Sequence, residues 1–202
     1  MRPLKVDPDF YSPERQARTT LAETRALFRA EDGSDPMPAL EKHFKKAQDY
    51  GKDMLALGLT PQKIIDRANQ SQQPLKTFIS ILDHIGGYKE DPLRKKASLL
   101  ALILMERPEH FLKISDEEEL QPVIDYHAMR FCLRTGLVEI ADKDLRQKIA
   151  DRALVSVDEE WAIRYACYQA VQRLISVTGL SSGAVDNISF KYTREPVSYT
   201  HL

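Results

Sequence analysis

The sequence predicts an all-α fold, and three observations carry that expectation. Alternating apolar–polar stretches of the strand type are almost absent. Apolar residues recur instead at intervals close to a helical turn, as in Leu40, Phe44, Ala47, Met54 and Leu57. Helix-start signals, either a capping residue followed by proline or a capping box, return along the whole chain. The 202 residues, 43% of them hydrophobic, suffice for a buried core.

The elements follow in order. Ser12-Pro13-Glu14 opens a helix over 13–30, and Glu31-Asp32-Gly33-Ser34-Asp35-Pro36 is a loop. A second helix spans 38–57. Thr60-Pro61 starts a third, carrying Ile64 and Ile65. Pro74 starts a fourth, with Phe78, Ile79, Leu82 and Ile85 on one face and Gly86-Gly87 as its stop. Asp91-Pro92 reads as the start of a fifth helix reaching Glu106, the most hydrophobic segment and the expected centre of the fold. Ser115-Asp116-Glu117-Glu118 fits a capping box on a short turn. Asp125 opens the next helix, where Met129, Leu133 and Leu137 recur and Gly136 is the stop. Another helix holds Leu145 and Ile149. Ser156-Val157-Asp158-Glu159 caps the last long helix, which ends at Gly179. Its expected buried side is Trp161, Tyr165, Tyr168, Val171 and Ile175. A short helical piece covers 182–190. The expected organisation is an appendage over 1–35 and a helical domain over 36–192. Residues 193–202 lose the helical pattern and read either as a foreign, read-through ending or as a frayed terminus.

Composition excludes several classes. A net charge of −1 gives no overall basic field for nucleic acid, so any such contact needs a local patch. The apolar run 97–105 is too short for a membrane span. Cys132 and Cys167 each sit in an apolar helical pattern and form no CxxC pair, which suits core thiols in a reducing, cytoplasmic setting. The five histidines lack metal-ligand spacing, so no metal site is expected. Neither a glycine-rich phosphate loop nor a Gly-x-Ser-x-Gly elbow is present. A monomer is expected.

Two features point to chemistry. Asp125 follows the apolar approach Pro122-Val123-Ile124 and reads as a helix N-cap, its carboxylate held at the positive end of the helix. A fixed carboxylate beside a cleft can do chemistry, and an N-cap can also be purely structural. Arg94, Lys95 and Lys96 sit together in the first turn of the central helix, where the dipole disfavours cations. Such a turn can bind phosphate, lower the pKa of one lysine so that its amine becomes a nucleophile, or simply be solvated beside Glu90 and Asp91. His127 and Arg130 lie on the Asp125 helix, and Arg130 with Arg134 can line a phosphate-facing edge.

These residues carry a resemblance. Val123-Ile124-Asp125-Tyr126-His127-x-x-Arg130 resembles the hydrophobic-Asp-x-His-x-x-Arg segment of helix-hairpin-helix base-excision DNA glycosylases. Lys95-Lys96-Ala97-Ser98-Leu99-Leu100 is similar to the lysine-bearing stretch of the endonuclease III type, about 30 residues before Asp125 as in the archaeal 8-oxoguanine branch. The resemblance covers residues 74–190. It implies a DNA N-glycosylase in which Asp125 stabilises the sugar cation, or orients the amine, and Lys95 or Lys96 attacks C1′ in an AP-lyase step. It further implies that Tyr88, Lys89, Arg94, His127 and Arg130 hold substrate or phosphate. The family's Leu-Pro-Gly-x-Gly hairpin is missing: Ile85-Gly86-Gly87-Tyr88-Lys89 stands near its place and does not match it. Relatives carry a four-cysteine 4Fe–4S loop after the last helices. Two cysteines cannot supply four ligands, so no cluster is expected in this chain and one is implied for the intact protein. Two other readings remain: an N-glycosidase acting on a modified nucleoside or nucleotide, and a non-enzymatic helical interaction domain.

Overall fold

The computed structural model describes residues 9–34 and 37–194. Among them the regular structure is entirely helical, as the sequence predicts. Asp35 and Pro36 of the expected loop, and 195–202 of the expected tail, lie outside the described residues. The chain divides into two compact units, the first ending at Pro92 and the second beginning at Leu93.

The first unit holds α1 (Pro13–Arg18), α2 (Leu21–Phe28), α3 (Leu40–Ala56), α4 (Pro61–Asn69) and α5 (Pro74–Leu82). The single helix expected over 13–30 is two helices. Thr19 is extended (φ −53°, ψ 138°), and Thr20 begins a new helix with a capping box. Its hydroxyl accepts from the Glu23 N–H at 3.2 Å, and its own N–H donates to Glu23 at 2.8 Å. The expected boundary at residue 35 gives way to packing of α1 and α2 on α3 within one unit. The α1 contact is backbone to backbone at Gly51, where an added Cβ would lie 2.3 Å from the Ala17 nitrogen. Core residues Met54, Leu75, Phe78 and Ile85 are essentially inaccessible.

Helix α5 stops at Leu82, short of the expected Gly86-Gly87. The glycine pair serves instead at a tertiary contact. Gly86 approaches α3 so closely that a Cβ would sit 2.6 Å from Asp49 Cβ, and its N–H donates to Asp53 at 2.8 Å.

The second unit holds α6 (Lys95–Glu106), a 3₁₀ turn (Glu117–Glu119), α7 (Tyr126–Arg134), α8 (Lys143–Ala150), α9 (Val157–Thr178) and α10 (Ser182–Arg194). Helix α6 begins at Lys95, later than Asp91-Pro92 suggests. Arg94 is left-handed (φ 53°, ψ 26°), which no continuing right-handed helix allows. The short turn starts one residue later than the Ser115 box predicts, at Asp116, which is buried and gives no side-chain cap.

In α7 the buried residues are Ala128, Phe131 and Cys132, rather than the Met129–Leu133–Leu137 stripe. They join Ile124, Cys167, Val171 and Val185 in the core of this unit. In α9 the expected aromatic side is corrected in the same way. Trp161 and Tyr165 are 39% and 44% exposed, and the buried row is Cys167 and Val171. The rings stack on one another instead, with Trp161–Tyr165 centroids 6.1 Å apart and Tyr165–Tyr168 centroids 6.4 Å apart. The α9 capping box forms as predicted, with the Glu159 N–H 3.1 Å from the Ser156 hydroxyl. Ser156→Ala is therefore expected to cost about 1 kcal/mol in urea denaturation. Helix α10 extends past the predicted 182–190 to Arg194, with Thr193 buried.

Candidate functional site

The approach to Asp125 is fixed from several sides. Val123 and Ile124 are buried. The Ile124 carbonyl accepts from Arg164 Nε of α9 at 3.1 Å. The Gln121 carbonyl accepts from Ser182 Oγ of α10 at 3.2 Å, and the Gln121 side chain accepts from the Tyr168 hydroxyl. Burial pushes the Tyr168 phenol up from its ordinary range, so it stays a donor. At the end of this strap Asp125 is extended (φ −112°, ψ −172°) and caps α7 as the sequence predicts. Its Oδ1 accepts from the His127 N–H at 2.8 Å and the Ala128 N–H at 3.0 Å. Both bonds go to one oxygen. The side chain is half-buried.

Asp125 lines a cleft of about 270 Å³ between α6, the start of α7 and α10. Leu99, Leu102, Ile103 and Phe190 form its apolar walls. Glu106, Asp125, His127, Asp186 and Asn187 bring polar groups to it. The two walls approach at Gly183, whose added Cβ would lie 2.9 Å from Leu102 Cδ2. The volume lies just below the usual range for small-molecule pockets, about 300–1,000 Å³.

Asp186 is the site residue that motif reading missed. Burial, then the nearby Asp125 and Glu106 charges, push its carboxyl up to about 6, while Lys95 acts in the opposite direction. A signal for it exists in the sequence. Ser182, Val185, Ser189 and Thr193 are buried at helical spacing, and Asp186 falls beside that row.

The other candidates divide. His127 lines the cleft, its ring 3.9 Å from that of Tyr126 and edge-on to Phe190 at 5.5 Å. Its Nδ1 lies 3.4 Å from Thr193 Oγ1. Arg130 is one turn on, its guanidinium 5.6 Å from the Tyr126 ring centroid, a cation–π contact. Lys95 is half-buried at the first position of α6 and close enough to act on Asp186. Lys96 and Arg94 are exposed. The residues that define the cleft wall do not include either lysine.

Tyr88 and Lys89 belong to the first unit. Lys89 Nζ pairs with Asp53 at 2.6 Å, and that hydrogen bond holds the Asp53 carboxyl below its usual range. The Gly86 N–H donates to the same Asp53, and the Gly87 N–H donates to Glu90 at 2.9 Å. Burial raises the Tyr88 phenol. The turn is thus an anion-binding turn filled by the chain's own carboxylates.

The residues present do not fit an iron–sulfur cluster. Cys132 and Cys167 are buried in the second unit's core and hydrogen-bonded to each other, a contact that lowers the Cys132 thiol and raises the Cys167 thiol. Among the described residues no group of histidine, cysteine and carboxylate side chains is placed to hold a metal ion. No helix among them is long and apolar enough to cross a membrane. No protein-family model matches the chain, and no curated protein matches it.

Proposed function

We propose that this protein cleaves N-glycosidic bonds, as a base-excision N-glycosylase acting on a base turned out of DNA. The observation that carries the reading is the capped Asp125 carboxylate in an apolar-walled, base-sized cleft. A base leaving C1′ takes the bonding electron pair with it and leaves positive charge on the sugar. A carboxylate fixed beforehand beside that sugar stabilises the charge without having to reorganise. Burying the base between Phe190 and the α6 leucines offsets part of the cost of unstacking it. In this reading Lys95 supplies the amine of a lyase step, attacking C1′ and giving a Schiff base. It is the half-buried lysine of the pair, and its charge reaches the Asp186 carboxyl of the cleft. Arg94, Arg130 and Lys96 then serve as phosphate contacts at the rim.

Borohydride reduction in the presence of abasic-site DNA tests this mechanism. A covalent adduct is expected with the wild-type chain and with Lys96→Ala, and none with Lys95→Ala. No adduct in the wild type, or one that survives loss of both lysines, rejects the lyase step.

One observation favours a second reading, a free modified nucleoside or nucleotide as substrate. Asp53 and Glu90 already take the Gly86 and Gly87 N–H groups that would grip a DNA phosphate. Binding measured against duplex DNA at rising salt separates the two. A steep loss of affinity with salt supports DNA, and absence of binding at low salt supports the nucleoside.

A further inference from the structure

We infer that Asp186 is the proton donor of the Asp125 cleft, handing a proton to the departing base from α10. The inference rests on the N-glycosidase reading and adds the second half of its chemistry. A neutral purine or pyrimidine is a poor leaving group as an anion and a good one once protonated. A site with only a carboxylate toward the sugar has no answer to that problem. Asp186 and Asp125 enter one cleft from different elements, α10 and the start of α7. Asp125 is tied by one oxygen to two α7 amides.

The surroundings of Asp186 keep a proton on it. The groups that face it are Asp125 from α7 and Glu106 and Lys95 from α6, with His127 also lining the cleft. Two are carboxylates, whose charge opposes a third negative charge, and the apolar walls add the desolvation penalty. Lys95 works against them and is outweighed, the carboxyl standing at about 6 against an ordinary 3.8. Two carboxyl groups whose environments differ in this way are the usual arrangement for an acid paired with a charge stabiliser.

The step balances with water as co-reactant. The C1′–N bond breaks with its electron pair going to the base nitrogen. Asp186 delivers its proton to the base, at the departing nitrogen or another ring nitrogen. Water adds its oxygen to C1′ on the face toward Asp125 and gives up a proton, which restores the acid form of Asp186 through the cleft. The products are the free base and the sugar hydroxyl.

The test compares two leaving groups, hypoxanthine and N7-methylguanine, each as a nucleoside and within a DNA duplex. The methylated base is already cationic and departs without a donated proton. Asp186→Asn is expected to lower release of hypoxanthine about 100-fold and leave N7-methylguanine release within about threefold of wild type. Asp125→Asn lowers both. In the wild type, hypoxanthine release falls as pH rises past about 6, and this limb is absent from the Asp186→Asn profile. Equal losses on both bases in Asp186→Asn, or a retained limb, overturn the inference while leaving the N-glycosidase reading standing. No release of either base by the wild type overturns both.

A readout independent of turnover accompanies the test. Because the folded state holds the Asp186 proton more tightly than the unfolded chain, this group's contribution to wild-type stability is lost as pH rises from about 4 to about 6. Asp186→Asn is therefore expected to melt higher than wild type above pH 6, and the gain disappears toward pH 3.8. A variant that melts lower at every pH contradicts the placement of this group.

Discussion

Replacing Asp125 with asparagine is expected to slow base release by about 10²- to 10³-fold while barely changing stability. The two effects separate because the side chain has two jobs. As a cap it accepts the His127 and Ala128 N–H groups through one oxygen, and an asparagine carbonyl does this about as well. The lost charge at the helix N-terminus changes stability by less than about 1 kcal/mol. As a charge facing the sugar cation it has no substitute in a neutral amide. Asp125→Ala removes both, so it also costs about 1 kcal/mol of folding stability. Urea denaturation beside single-turnover rates for the three proteins makes the comparison. Were the cap its only role, the asparagine variant would keep the wild-type rate.

Gly51→Ala is expected to destabilise the first unit by about 2 kcal/mol and to free α1 from α3. Intrinsic propensity pulls the other way, since alanine is favoured over glycine in a helix interior by about 1 kcal/mol. Sterics decide the sign. The new Cβ would stand 2.3 Å from the Ala17 nitrogen, 2.5 Å from the Pro13 carbonyl oxygen and 2.8 Å from Ala17 Cα. All three are backbone atoms, so no side-chain rotation relieves them. Hydrogen exchange should show the α1 amides losing protection first. A variant of equal or greater stability would mean that α1 does not pack on α3 at this point.

What the sequence made legible is local chemistry. Asp125, Ser12, Thr60 and Ser156 are caps in the structure because capping needs only the residue and the amides that follow it. The Thr20-x-x-Glu23 box that divides α1 from α2 was equally legible, and the single start signal at Ser12-Pro13 passed over it. Other features depend on what packs against a segment. The left-handed Arg94 and the close approach of Gly86 to α3 just after α5 are features that no spacing announces. Helix α9 is apolar on more than one side. Its exposed Trp161–Tyr165 stack and its buried Cys167–Val171 row were equally good candidates for the core. The site divides in the same way. Asp125 is visible through its cap. Asp186 has only its place beside the Ser182–Val185–Ser189–Thr193 row to mark it in the sequence, and its role shows once α10 is laid beside α6 at Gly183.

The central claim is that the Asp125 cleft releases a base. Its most direct test is a single-turnover incubation of the full chain with base-modified DNA duplexes and the matching free nucleosides, with the free base detected by mass. Free base from at least one substrate with wild type, and about 1% or less of that rate with Asp125→Asn, is the predicted result. Free base at equal rates from both proteins, or from neither, would contradict it.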